Sequence, residues 1–267
     1  MVKLIIFLRG NITKNINLYF ETMIENLFFL TGWLKNIGSN LMGDFTHSYS
    51  LDGLSLLFII LTIILTFFCI IDIISSTSLF DQNKELIICL LFLALFLILA
   101  FLTIDLLIFY IFFESVLIPM FLIIGVWGSR ERKIRADYYF FLYTLIGSVF
   151  LFFCIFILFF ESHSTKLFIL YGTFIPFEKE CLLWIFGFIA FSIKIPMFPF
   201  HIWLPEAHVE APTSGSVILA GLLLKLGGYG CIKIILPILP NSSFFFFPII
   251  SVLCVVSVIY AVLKFIK

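Results

Sequence analysis

The chain has 267 residues, 63% hydrophobic and only 12% charged, with lysine plus arginine balancing aspartate plus glutamate at zero net charge. A soluble domain averages about 45–50% apolar and about 25% charged residues, so this much apolar surface requires lipid as its solvent. Nothing in a neutral balance attracts nucleic acid, and membrane lipids are the expected surroundings.

The opening MVKLIIFLRG has a short apolar core and no small-residue cleavage site, and does not read as a cleaved signal. Between Asn17 and Lys35, polar Glu21, Thr22, Glu25 and Asn26 share one face. Phe20, Met23, Ile24, Leu27 and Phe28 lie on the other at helical spacing. Residues 1–50 therefore read as an amphipathic segment lying in the membrane interface, and 51–267 as a transmembrane domain.

A helix needs about 20 apolar residues to cross the bilayer, and about seven candidate spans follow. The first covers 51–71, between Asp52 and Asp72. The stretch 86–128 is too long for one helix and divides near Thr103–Asp105, where Asp105 can cap a helix start. A span over 138–160 carries no charge. The next begins near Leu182 and meets Pro196 and Pro199; another runs over 213–236, between Pro212 and Pro237; the last covers 246–266. The fold class predicted is all-α, a polytopic transmembrane helix bundle with one proline-broken helix. Arg130, Arg132, Lys133 and Arg135 between 129 and 137 put that loop on the positive side of the membrane.

Three charges fall where lipid makes them expensive. Glu114 lies nine residues past Asp105, about 14 Å along a helix and near the midplane. Lys225 sits halfway along its span in GLLLKLGGYG, and Lys194 directly precedes the two prolines in FSIKIPMFPF. A charge at the bilayer centre costs about 2.5–3.5 kcal/mol on the insertion scale, so these side chains should face protein or a hydrated cavity. Proline removes a backbone donor and its ring clashes with the preceding turn, so the helix carrying Lys194 should stop inside the membrane. Irregular backbone at that depth needs protein or water around it. Burial opposes the ammonium charge, while the free carbonyls at the helix end support it. Such a lysine can respond to a neighbouring charge.

Simpler roles compete. Glu114 can be half of a fixed ion pair, and Lys225 can reach for an interface. Lys233, four residues before Pro237, should snorkel. His201 and His208 can relay protons or satisfy loose carbonyls. Glu206 and Glu210 read as rim residues, His47 and His163 as loop residues. Gly215, Gly221, Gly227, Gly228 and Gly230 allow close helix packing. The six cysteines are scattered, with no CxxC, so neither a disulfide framework nor a metal site is expected. A haem-binding electron carrier needs mid-helix histidines on facing spans, which this sequence lacks.

FFESVLIPMFLIIGVWGSRERKIRA and FSIKIPMFPFHIWLPEAHVEAPTSGSVILAGLLLKLGGYG resemble the antiporter-like proton-pumping subunits of respiratory complex I, NADH:ubiquinone oxidoreductase. The likeness covers roughly 50–267; residues 1–50 are too polar for the family's opening helices. It implies the first of two inverted repeats, with Glu114, Lys194 and Lys225 at the family's helix glutamate, broken-helix lysine and central-axis lysine. It further implies proton movement along a hydrated line of such residues, coupled to electron transfer from NADH to ubiquinone. No cofactor is expected in this chain; FMN, iron–sulfur clusters and ubiquinone belong to the whole complex. The implied partners are other membrane-arm subunits and a separate chain supplying the second repeat. The mitochondrial inner membrane is the implied location, with a bacterial plasma membrane as the alternative. Competing functions are a subunit of a multi-chain cation/proton antiporter or membrane hydrogenase, and a structural membrane subunit that does not pump.

Overall fold

The computed structural model describes residues 49–76, 80–128 and 131–266. The amphipathic segment expected over 1–50, apart from its last two residues, lies outside the described residues, as does His47. Residues from Ser50 onward form one compact unit. The helices are α1 (Gly53–Ser76), α2 (Phe80–Leu102), α3 (Leu106–Ser115), α4 (Leu117–Trp127) and α5 (Lys133–Ser162). They continue with α6 (Phe177–Lys194), α7 (Trp203–Glu210), α8 (Thr213–Ile238) and α9 (Pro240–Ile266). Among the described residues, six helical stretches are long and apolar enough to cross a membrane, α3 and α4 together making one of them. The polytopic all-α bundle expected from the sequence is what forms, with α6 as the proline-broken helix.

The division near Thr103–Asp105 falls as expected: α3 opens at Leu106, and the Asp105 carboxylate accepts the Leu107 N–H at 3.0 Å. The loop beyond α5 closes over this turn, with Leu106 N–H donating to Thr165 and Leu167 N–H to Ile104. The third span holds an irregular turn the sequence reading did not anticipate, at Val116 between α3 and α4, although its backbone stays right-handed helical and its N–H still donates to Phe112. Pro119 brings no N–H and crowds the carbonyl four residues earlier, on Ser115. The helix is thus loosened two residues after Glu114.

Two starts differ from expectation. α6 begins at Phe177 rather than near Leu182, and α9 at Pro240 rather than at 246. One interaction accounts for both. Glu180, only 2% exposed, accepts the Ser242 N–H at 3.0 Å and the Asn241 amide at 3.2 Å. An acidic side chain at a helix N-terminus satisfies free N–H groups and suits the dipole, so the charged turn 178–180 is folded into the bundle. Lys179 beside it pairs with Glu161.

α6 lies along α5 and is crossed by α8. Two π-helical turns, Leu219–Leu223 and Cys231–Ile235, bracket the α-helical turn Leu224–Gly230 that carries Lys225. A Cβ on Gly230 would stand 2.2 Å from Cε1 of Phe191, a ring that is itself fully buried. Gly230→Ala should therefore lower stability by about 1–3 kcal/mol, the usual range for overpacking. Thermal unfolding of the detergent-purified protein measures it, and Phe191→Leu in the same chain should restore part of the loss.

Toward the far end of α8, Lys233, expected to snorkel, is held by protein partners. Its ammonium pairs with Asp52 at 2.8 Å and donates to the Tyr229 hydroxyl at 2.7 Å. That hydrogen bond holds the Asp52 carboxyl below its ordinary range. Tyr229 in turn donates to the Phe101 carbonyl, and Tyr171 donates to the carbonyl of Lys233.

Candidate functional site

Both irregular helices put a charge at or near the irregularity. Lys194 is the last residue of α6 and is 2% exposed. Its ammonium donates to the Phe113 carbonyl at 3.3 Å and stands 4.0 Å from the centre of the Phe113 ring. The carbonyl comes from the last turn before the irregularity at Val116, and the ring face adds cation–π attraction. Glu114 is the next residue. Its Oε1 is buried with no hydrogen-bond partner, and its charge and that of Lys194 act on one another. Ser148 on α5 lies close to both Glu114 and Tyr110, with its hydroxyl donating to the Leu145 carbonyl.

Glu114 and Lys194 do not close a contact ion pair. Among the described residues such pairs join Lys179 to Glu161 and Lys233 to Asp52. The acid and the amine attract across a gap wider than an ion-pair contact. This differs from the fixed ion pair that competed for Glu114 in the sequence.

The backbone around Lys194 is satisfied despite Pro196 and Pro199. Ile195 N–H donates to Phe191, Met197 N–H to Ser192, and the Trp203 indole on α7 to the Ile193 carbonyl at 2.9 Å. α8 reaches the same place through Gly227, whose added Cβ would lie 3.1 Å from Cβ of Lys194. Lys225 precedes Gly227 by two residues, about 200° around a helix, and so points away from Lys194. It is exposed, and the enclosure expected for it is not supplied by the described residues.

The histidines stand apart from the Glu114–Lys194 couple. His201 packs on Phe198 and edge-on to Tyr260, with its Nδ1 buried and unpartnered. His208 is exposed, and His163 ends α5 in the left-handed conformation with φ 53°.

Three acids matter more than their sequence positions suggested. Glu210, expected at the rim, is 5% exposed, and its Oε2 has no partner. Asp137, assigned to a loop, lies within α5 and is 4% exposed with Oδ1 unpartnered. Its Oδ2 occupies the space a side chain at Gly125 would need, 2.7 Å from that Cβ position. Glu180 is the cap described above. The motif Pro240-Asn241-Ser242-Ser243, a helix start wanting an acceptor, was the available signal for it. Asp137 had none, because contact with Gly125 is set by how α4 meets α5. Among the described residues, no three His, Cys, Asp or Glu side chains are grouped to hold a metal ion.

Residues 103–266 match the family model described as NADH:quinone oxidoreductase/Mrp antiporter, transmembrane. The NADH-ubiquinone oxidoreductase chain 4 of Acanthamoeba castellanii is 45% identical over 249 residues, 93% of this chain and 48% of that protein. The chain 4 of Marchantia polymorpha is 53% identical over 217 residues, 81% of this chain and 43% of that one. Among solved structures, respiratory complex I from Thermus thermophilus with bound NADH contains a similar chain, with TM-score 0.64 and 31% identity. That likeness covers 74% of this chain and 41% of the other. The chain thus spans about half the length of the curated relatives it matches. Glu114, Lys194 and Lys225 all lie inside the matched residues, and the chain belongs to the NADH:quinone oxidoreductase/Mrp antiporter transmembrane family.

Proposed function

We propose that this chain is a proton-translocating membrane-arm subunit of respiratory complex I, passing protons through Glu114, Lys194 and Lys225 while NADH reduces ubiquinone elsewhere in the complex. The carrying observation is the acid–amine couple, with Lys194 buried and Glu114 half-buried. Glu114 and Lys194 stand at or near irregular backbone in two separate helices and attract without contact. A purely structural pair would be expected to close. The likeness to chain 4 of NADH-ubiquinone oxidoreductases supports the respiratory reading over a cation/proton antiporter or membrane hydrogenase subunit.

The expected location is the mitochondrial inner membrane, beside other membrane-arm subunits. FMN, iron–sulfur clusters and ubiquinone then belong to the wider complex, and this chain performs no redox chemistry. Lys225 requires a cover, because an ammonium in mid-span cannot face lipid tails. A second antiporter-like unit fits that face, and a separate chain is one way to supply it. His201 and His208 serve as relay members only if water joins them to Lys194.

The test is Lys225→Ala in the assembled complex, in sealed vesicles oxidising NADH. The proton-to-electron ratio should fall. An unchanged ratio, with the complex fully assembled, would favour the structural reading.

A further inference from the structure

On the positive side of the membrane, the start of α5 and the end of α7 enclose a cavity of about 240 Å³. Arg132 and Arg135 line one wall, Glu206 and Glu210 the other, with Val209 between them. α5 begins at this cavity without a side-chain cap and with no acid in its first turn. Its free N–H groups and two guanidinium groups together form a place for an anion. The opposite wall asks for the reverse. Glu210 is 5% exposed with Oε2 enclosed and unpartnered, so its carboxylate lacks a donor within the protein, and a small rotation of the side chain would present it to the cavity it lines.

The protein's own charges do not satisfy one another here. Arg135 donates to the Tyr139 hydroxyl and attracts Glu206. Among the described residues neither guanidinium closes an ion pair with Glu206 or Glu210. A lone anion entering the cavity would meet two carboxylates, and a lone cation two guanidinium groups. A ligand carrying both signs meets neither conflict.

The depth of the cavity narrows the ligand further. Ile134 and Tyr138, beside the arginines, are 60% and 58% exposed. Tyrosine next to basic residues at a helix end marks the level of lipid headgroups.

We propose that this cavity seats the headgroup of a zwitterionic phospholipid with a primary ammonium, of the phosphatidylethanolamine class. The phosphate lies against Arg132, Arg135 and the N-terminus of α5, and the ammonium donates to Glu210. A choline headgroup has no N–H to give Glu210, and an anionic glycerol headgroup has no positive charge for it. The chemistry therefore separates three lipids of similar size. Nothing in this assignment depends on whether the chain pumps protons.

The test uses the chain in its native membrane complex, placed in phosphatidylcholine vesicles containing a trace of phosphatidylethanolamine with a photoreactive headgroup. Crosslinking should fall within 132–136 and 205–210. Competition by unlabelled phosphatidylethanolamine should be about tenfold stronger than by phosphatidylcholine or phosphatidylglycerol, the factor for one charge-assisted hydrogen bond. Glu210→Gln should erase that preference while leaving assembly intact. Val209→Phe, which fills the cavity without changing charge, should remove the crosslink. Equal competition by all three lipids, or undiminished crosslinking in both variants, would overturn the assignment. Competition by soluble phosphoethanolamine as effective as by the lipid would overturn the lipid as its source.

Discussion

Lys194→Arg is expected to leave the chain folded and assembled while proton translocation falls by roughly 100-fold, the lower end of what a positioned acid–base group contributes. The substitution preserves a positive charge at the end of α6, where Lys194 donates to Phe113 and faces Glu114. A guanidinium does not give up its proton within a protein. If Lys194 serves only as a countercharge, arginine should replace it with little loss. If it must release and regain a proton, arginine should fail. Proton uptake by reconstituted vesicles, set against NADH oxidation in the same sample, separates the two. Assembly is checked by native electrophoresis, because the larger side chain enters a site enclosed by Phe113 and the Gly227 face of α8.

Glu114→Gln should have a comparable effect by the opposite loss. The shape can survive, but Lys194 is left buried without its neighbouring carboxylate. Removing one member of a buried charge couple destabilises by about 3–5 kcal/mol, so the melting temperature should drop and translocation should cease. Exchanging the pair, with Glu114→Lys and Lys194→Glu together, distinguishes stability from transport. The double variant should recover part of the thermal stability, since attraction is symmetric. It should not recover translocation, because the carboxylate would then sit at the proline joint and the amine beside Ser148. Full recovery of transport would mean that only the pairing matters.

The sequence carried the spans well where physics acts locally. Asp105 announced a cap and became one; Pro196 and Pro199 announced a stop, and α6 stops at Lys194. Charges placed deep in apolar runs also announced themselves, and two of the three lie near enough to attract one another. What escaped was decided by contacts between distant segments. Glu180 gave no warning of its capping role because its partners, Asn241 and Ser242, lie some sixty residues away. The irregular turn at Val116 was overlooked because Pro119 falls in the first turn of α4, where proline is tolerated and gives little warning. Lys225 shows the reverse limit. Its depth was legible, but the face it takes is set by how Gly227 turns toward Lys194.

The indole of Trp203, hydrogen-bonded to the Ile193 carbonyl, governs how the broken segment can behave. Together with the Ile195 and Met197 amides, it bolts the two halves of the interruption to each other. A chain break at this depth could have been a hinge; fastened this way it is closer to a bracket. On the proposed function, charge would shift at Lys194 while these hydrogen bonds hold the surrounding main chain, confining the moving parts to side-chain tips and protons. Trp203→Phe would unfasten that bracket without altering any charge.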